Sequence, residues 1–293
     1  MLYEEDSGDL RSIKYGQHEL LSRIYVAVRD PDWNTAPARI TVREMLILPD
    51  SFTIRYQAEH REGDIRFTWD GMIVGEADSR LSFAMDGVAQ STFWRNRIGF
   101  CVLHPMSCAG RLCSVEHSDG SVTTGRFPVE IAAHQPFLNI RAIAHEITDD
   151  LQVVVRFTGE TFEMEDQRNW TDASYKTYGT PLDLPRPVEV TAGTHIQQSV
   201  RLELSGSSGL DWEAASNTSL QFTVTDEIVG RLPKLGLASA SDGQSLTERE
   251  IERLRLLNLE HLRAEVHFGR ADWGVRIEQA FDEAQRLGIA LEM

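Results

Sequence analysis

The chain has 293 residues, 45 acidic against 29 basic side chains and a formal net charge of −16. A field this negative repels polyphosphates, so nucleic acid is excluded as a partner. The acidic N-terminus is unlike a signal peptide, and no apolar stretch approaches the roughly 20 residues that cross a bilayer. The composition therefore predicts a cytoplasmic protein without a membrane partner, and it leaves the oligomeric state open.

Residues 23–204 consist of short runs rich in β-branched and aromatic side chains, separated by turn residues. Such runs predict strands, and many strands without intervening helices favour an antiparallel β-sandwich or a related double sheet. Residues 1–230 are therefore predicted to form a mainly β, sandwich-like domain. The clearest predicted strands are 24–28, 45–48, 52–56, 153–157, 199–204 and 220–224.

The pattern changes at Arg231, after which strand and helix signals alternate. A strand is predicted over residues 232–238. A helix is predicted to begin after Thr247, because Glu250 stands at the position that completes a capping box. Asn258 can supply the left-handed residue that follows this helix.

A second strand is predicted over residues 262–268, and a third over 289–291 after a helix that Gly288 ends. The apolar face of that helix carries Ile277, Ala280, Phe281, Ala284 and Leu287. Residues 231–293 are thus predicted to start a TIM-type (β/α) barrel. A parallel sheet needs more cover than this, so the chain is expected to be truncated from a longer protein; a small appendage is the alternative.

The densest polar stretch spans residues 162–178 and is predicted to be a loop. Its carboxylates, cations, amide and aromatic rings are the groups that hold polyols. A salt-bridged loop without a ligand is the equally weighted alternative. The candidates in this stretch are Glu163, Asp166, Arg168, Asn169, Trp170, Asp172, Tyr175 and Lys176.

Two further clusters are candidates in the β domain. Arg95, Asn96 and Arg97 suit a carboxylate or a polyol. His104 and His134 are possible proton carriers, although a lone histidine is more often structural.

In the second predicted domain, Arg263, Glu265 and His267 alternate with apolar residues along one strand. If this polar set faces a barrel interior, it lies where barrel enzymes keep their sites. An ion pair between Arg263 and Glu265 is the alternative.

The three cysteines, Cys101, Cys108 and Cys113, fall close to His104 and His117. An odd number of cysteines argues against a disulfide framework and fits a reducing compartment. Paired Cys-x-x-Cys knuckles are absent, so we predict buried apolar cysteines and no metal. A glycine-rich phosphate loop and a Gly-x-Ser-x-Gly motif are also absent, and no cofactor is predicted.

Residues 162–178, followed by Pro181-Leu182 and by 184–187, resemble the D-apionate lactonase family. The segments 99–105, 108–110, 117–120 and 134–137 resemble the same family. The resemblance implies hydrolysis of a sugar-acid lactone, D-apionolactone to D-apionate, in bacterial apiose catabolism. It also implies a complete barrel after the β domain, and it assigns no catalytic residue.

Hydrolysis of a lactone needs a base to deliver water and donors to hold the oxyanion. Under this hypothesis Asp166 or Glu163 is the base, Arg168 and Asn169 stabilise the oxyanion, and Trp170 packs on the ring. Two other functions stay open: a relative of the glycoside hydrolases, whose two carboxylates would lie on later barrel strands, and a carbohydrate-binding module without catalysis.

Overall fold

The computed structural model describes residues 1–148, 150–206, 230, 233–240 and 243–293. The chain divides into two compact units, Met1–Thr218 and Ser219–Met293. The strand predicted over 220–224 and the change of pattern predicted at Arg231 lie outside the described residues. Within the described part, no helix is long and apolar enough to span a membrane.

The described part of the first unit is built from strands, fifteen of which form one sheet. This confirms the prediction of a mainly β, antiparallel architecture. The strands are β1 Leu2–Glu4, β2 Asp9–Tyr15, β3 His18–Arg29, β4 Ala38–Ile47, β5 Phe52–Glu62, β6 Ile65–Gly75, β7 Arg80–Ala89, β8 Phe93–Arg95, β9 Arg97–Pro105, β10 Leu112–His117, β11 Val122–Arg126, β12 Phe137–Thr148, β13 Leu151–Thr158, β14 Phe162–Asp166, β15 Ser174–Tyr178, β16 Val188–Val190 and β17 His195–Gly206.

The large sheet is antiparallel, and its strand order is far from the order of the chain. The order of hydrogen-bonded strands across the sheet is β1-β2-β3-β9-β15-β14-β12-β13-β17-β7-β6-β5-β4. Strand β10 also pairs with β12, and β11 pairs with β10. Strands β8 and β16 form a separate two-stranded sheet. Alternate side chains point to opposite faces of a strand, and β6 follows this rule by burying Ile65, Phe67, Trp69 and Ile73. These residues belong to one continuous core.

Residues 162–178 are a hairpin in the middle of the sheet, so the predicted loop is wrong. Strands β14 and β15 are joined by a 3-10 turn at Gln167–Trp170 and pair in the register Glu163 to Tyr178 and Asp166 to Tyr175. The apolar residues decide the outcome, because Phe162 and Met164 are completely buried and bring Glu163, which lies between them, into the sheet.

The second unit alternates strands and helices as predicted. Its elements are β18 Gly236–Ala238, α1 Glu248–Arg255, β19 His261–Arg263, α2 Trp273–Leu287 and β20 Ala290–Glu292, with β19 parallel to both β18 and β20. The capping box of Thr247 and Glu250 is present, and both Asn258 and Gly288 have the predicted left-handed backbone. Membership of this sheet in a TIM-type barrel stays a prediction.

Two details of the second unit differ from the predictions. Strand β19 ends at Arg263 instead of continuing to residue 268, and it pairs with β18 and β20 over three residues each. Phe281 is 58% exposed, whereas Ala280 and Ala284 of the same helix are buried. The buried face of α2 also carries Glu283, whose carboxylate accepts a hydrogen bond from the Leu246 amide at 3.0 Å.

Replacing Thr247 with Ala is expected to destabilise α1 by about 1 kcal/mol, because the amide of Glu250 loses its side-chain acceptor. Hydrogen exchange at the amides of α1 measures this effect directly. The exposed Ser245→Ala, two residues upstream, is the matched control and should leave the exchange rates unchanged. Equal protection in the Thr247 variant would contradict the capping role.

Candidate functional site

A cavity of about 610 Å³ lies over three neighbouring strands of the first unit. Its floor comes from alternate residues of β3, β9 and β15, which share one face of the sheet because the side-chain period of a strand is two. Glu165 joins them from β14, where it pairs with Lys176. The lining residues are Ala27, Arg29, Trp33, Arg97, Gly99, Cys101, Glu165, Gln167, Trp170, Lys176, Tyr178, Gly179 and Leu182.

Cationic and aromatic side chains alternate along one wall of this cavity. The Arg97 guanidinium lies 4.8 Å from the centre of the Trp33 ring and 5.3 Å from the centre of the Tyr178 ring. The ammonium group of Lys176 lies 5.3 Å from the centre of the Tyr178 ring. Such contacts stabilise cations that burial has removed from water.

Arg97 is 7% exposed and has unused hydrogen-bonding capacity. Its Nη1 donates to the carbonyl of Thr180, while Nε and Nη2 have no partner among the described residues. Burial lowers the pKa of Arg97, and the nearby Tyr178, Glu163 and Glu165 only partly oppose that effect. A buried guanidinium with idle donors is suited to an anionic or carbonyl ligand.

The position of Trp33 is held by the turn that contains it. The Asp30 carboxylate accepts hydrogen bonds from the amides of Asp32 and Asn34, at 2.9 and 2.8 Å. Arg29 donates to the carbonyl of Trp33 at 2.9 Å. Trp33 has a φ of 70°, a left-handed conformation that costs a bulky residue about 1–3 kcal/mol and is typical of functional sites.

The carboxylates of β14 are held by hydrogen bonds within the hairpin region. Glu165 forms an ion pair with Lys176 and accepts a hydrogen bond of 2.6 Å from Gln167. Glu163 is buried beneath Tyr178, whose hydroxyl donates to it at 2.5 Å. Glu165 is therefore the carboxylate that lines the cavity, and Glu163 supports its wall.

A second cavity of about 430 Å³ shares Glu165, Trp170 and Leu182 with the first. It adds His134 and Asn169, and the exposed Trp170 stands at the junction. We call the two cavities together the hairpin cleft. Six residues predicted from the sequence line it: Arg97, His134, Asp166, Asn169, Trp170 and Lys176.

His104 is placed in the core and does not line the cleft. It is completely buried, its Nε2 is 3.0 Å from the Thr177 hydroxyl, and its ring packs 5.4 Å from that of His145. Burial lowers its pKa far below the usual value. Tyr175, equally buried, donates its hydroxyl to the carbonyl of Pro128.

Asp166 and Arg168 form a clamp between the hairpin and the segment 128–132. Asp166 accepts from the Ala132 amide at 3.0 Å and forms an ion pair with Arg168 at 2.6 Å. Arg168 also donates to the carbonyls of Pro128, Val129 and Glu130. The carboxylate of Asp166 and the guanidinium of Arg168 therefore already have partners within the unit. Burial alone would raise the pKa of Asp166, but its hydrogen bonds with Arg168 and Ala132 lower it.

The remaining predicted residues lie outside the cleft. Arg95 and Asn96 directly precede Arg97 in the chain. Asn96 is buried, and its side-chain oxygen has no hydrogen-bond partner among the described residues. The carboxylate of Asp172 accepts a hydrogen bond from Ser174. Arg263, Glu265 and His267 are exposed and line a cavity of about 490 Å³ in the second unit. The Arg263 to Glu265 ion pair, at 3.8 Å, is therefore exposed and does not lie in an interior.

The three cysteines are free and buried, as predicted. Burial raises the pKa of Cys113 to about 11 and of Cys108 to about 12. In the described ranges, no group of three or more His, Cys, Asp or Glu side chains is arranged to hold a metal ion.

Trp33 and Tyr178 were not predicted from the sequence as members of the site, and Glu165 was predicted only as one of the carboxylates of residues 162–178. An available signal for Trp33 was its place in a turn-forming Asp-Pro-Asp-Trp-Asn segment, where a large aromatic ring has no core to fill. Tyr178 gave no such signal, because only the pairing of β14, β15 and β9 brings it, together with Glu165, beside Arg97.

Residues 2–207 match the D-apionate lactonase N-terminal domain. The chain belongs to the D-apionate lactonase family. A curated D-apionate lactonase from Brucella anthropi is 37% identical over 236 residues, which cover 79% of this chain and 38% of that relative. The chain thus spans about two fifths of the length of the curated relative it matches.

The solved structures that match this chain have low sequence identity to it. A putative aldose 1-epimerase from Escherichia coli K12 is 12% identical, with a TM-score of 0.45, over 69% of this chain and 94% of that one. An α-galactosidase from Geobacillus stearothermophilus is 10% identical, with a TM-score of 0.40, over 91% of this chain and 45% of that one.

Proposed function

We propose that this chain is the N-terminal part of a cytoplasmic bacterial enzyme that hydrolyses a sugar-acid lactone, D-apionolactone to D-apionate, in apiose catabolism. The single observation that carries the proposal is membership of the D-apionate lactonase family across residues 2–207. We further propose that residues 231–293 begin a (β/α) barrel, which the parallel order of β18, β19 and β20 supports.

The hairpin cleft is the proposed binding site for the sugar. Carbohydrate sites combine an aromatic face for the C–H surface of the ring with fixed donors and acceptors for its hydroxyls. Trp33 and Trp170 supply exposed aromatic faces, 42% and 70% accessible. The side chains of Asn169 and His134 lie in the same cleft and suit the hydroxyls.

The reaction needs little beyond a proton acceptor and donors to an oxyanion. Water adds to the lactone carbonyl, the ring C–O bond breaks, and the alkoxide takes up a proton to leave a hydroxy acid that ionises. In the cleft, His134 is the candidate proton acceptor, while Lys176 and Arg97 face developing negative charge. Asp166, Glu163 and Arg168 serve as support, because their polar atoms are already engaged.

Proton release from D-apionolactone, followed with a pH indicator, tests the function. The full-length protein is expected to exceed the spontaneous rate, and this chain is measured beside it. Release by the chain places working catalytic groups within it. Release only by the full-length protein leaves the cleft as a binding site, and no release by either contradicts the lactonase assignment.

Replacing Trp170 with Ala is expected to raise KM for the lactone about tenfold, equivalent to about 1.4 kcal/mol, because the ring loses its stacking partner. Trp94→Ala is the matched control, since Trp94 is 52% exposed but does not line the cleft. Equal effects of the two substitutions would refute a stacking role for Trp170.

A carbohydrate-binding module is the second candidate function. It is favoured by one observation: Glu163, Glu165 and Asp166 are all engaged in hydrogen bonds or ion pairs within the unit, which leaves His134 as the cleft's uncommitted base. Sugar binding by the chain without hydrolysis in the full-length protein would select this function.

A further inference from the structure

The larger cavity of the hairpin cleft carries an excess of positive charge on a strongly negative protein. Of the residues lining its larger cavity, Arg29, Arg97 and Lys176 are cationic, and Glu165 is the one carboxylate. The whole chain has a net charge of −16. A concave, partly apolar site concentrates the field of its own charges, so this cavity attracts anions although the protein as a whole repels them.

The cations differ in how far they are neutralised. Lys176 is paired with Glu165, and Arg29 donates to a backbone carbonyl at the exposed turn. Arg97 is buried between two aromatic rings and donates only to a backbone carbonyl, with Nε and Nη2 idle. Burying a cation without a carboxylate partner costs desolvation free energy. A bound carboxylate would offset that free energy by pairing with the guanidinium.

We propose that the hairpin cleft is a carboxylate subsite, in which Arg97, assisted by Lys176, binds the open-chain sugar acid in preference to the neutral lactone or polyol. The identity of the sugar acid rests on the proposed function; the preference for a carboxylate rests on the charges and idle donors of the cleft. Trp33 and Trp170 contact the carbon chain, and the planar fork of Arg97 meets the carboxylate.

The proposal has a kinetic consequence. Hydrolysis of a lactone converts a neutral ring into an anion, so a site that selects the anion holds the product after the ring has opened. The sugar acid should therefore inhibit the full-length enzyme competitively, and more strongly than the alditol with the same carbon skeleton.

Calorimetric titration of this chain with D-apionate and with the corresponding neutral alditol is the direct test. The acid is expected to bind at least about tenfold more tightly, a typical effect of one charge-assisted contact. Its affinity should fall as salt is raised, because screening weakens the attraction, while the affinity for the alditol should not change.

Arg97→Met removes the guanidinium and keeps most of the apolar stem. It is expected to weaken binding of the acid about tenfold and to leave binding of the alditol unchanged. Lys176→Met is the second variant, useful if the buried Arg97 site does not tolerate substitution. Arg156→Met is the control, since Arg156 is 48% exposed, pairs with Glu116 and does not line the cleft.

Equal affinity for acid and alditol, or an equal loss of both in Arg97→Met, overturns the carboxylate subsite. No binding of either compound by the folded chain overturns it as well. The lactonase assignment is judged separately, by proton release from the full-length protein, so either proposal can fail while the other survives.

Discussion

Asp166→Asn is expected to lower the free energy of unfolding of the first unit by about 3 kcal/mol, the lower part of the range for breaking a buried ion pair. The side chain of Asp166 is 0% exposed and neutralises Arg168. An asparagine cannot supply that charge, and its amide group would present donors where Arg168 and Ala132 now donate. Urea unfolding, monitored by tryptophan fluorescence, measures the loss.

Asp172→Asn is the matched control in the same hairpin. Its carboxylate accepts from the hydroxyl of Ser174 at 3.1 Å, and the change should cost less than about 0.5 kcal/mol. Turnover by the full-length Asp166→Asn protein, at a temperature where it is folded, separates support from catalysis. Unchanged turnover with a lowered free energy of unfolding eliminates Asp166 as the base. An unchanged free energy of unfolding would contradict the role of Asp166 and Arg168 as a clamp on the segment 128–132.

Acidification is expected to destabilise the first unit well before its carboxylates titrate. Burial lowers the pKa of His145 to about 4 and displaces those of His60 and His104 in the same direction. Below the ordinary histidine pKa of about 6.5, these histidines bind protons in the unfolded chain but stay neutral in the folded protein. Stability is therefore complete above about pH 6.5 and falls as the pH decreases towards 4.

His145 alone accounts for a loss of about 2 kcal/mol between pH 7 and 4.5. Urea unfolding at a series of pH values measures the slope. His145→Gln should flatten that slope whatever its effect at pH 7, whereas His195→Gln, at an exposed position, should leave it intact. A slope that does not change in His145→Gln would show that the imidazole is not excluded from water.

Several elements followed from local sequence alone. The capping box of Thr247, the left-handed Gly288 and the alternating strands of the first unit depend on contacts within a few residues, and each is present. The cysteines were predicted to be buried from residue type and spacing, and they are. Membership of the D-apionate lactonase family was also recognisable from the motif at 162–178.

The arrangement of the site depended on long-range pairing. The amino-acid composition identified residues 162–178 as a candidate site. It could not distinguish the polar side chains that line the cleft from those that are buried. Insertion of β15 between β14 and β9 turns Lys176 and Tyr178 towards Arg97 and leaves Tyr175 in the core. His104 resembled a proton carrier in the sequence, yet its strand places it against His145 in the interior.

The β-rich first unit, the alternation of helix and strand after it, and the family could all be predicted from the amino-acid sequence. These properties follow from side-chain periodicity, capping and motif, which act over short stretches of chain. Which polar residues line the hairpin cleft, and which are engaged in supporting hydrogen bonds, depends on how the strands pair. The reason is that β3, β9 and β15 are distant in sequence, and a side chain's access to a ligand depends on the strand beside it.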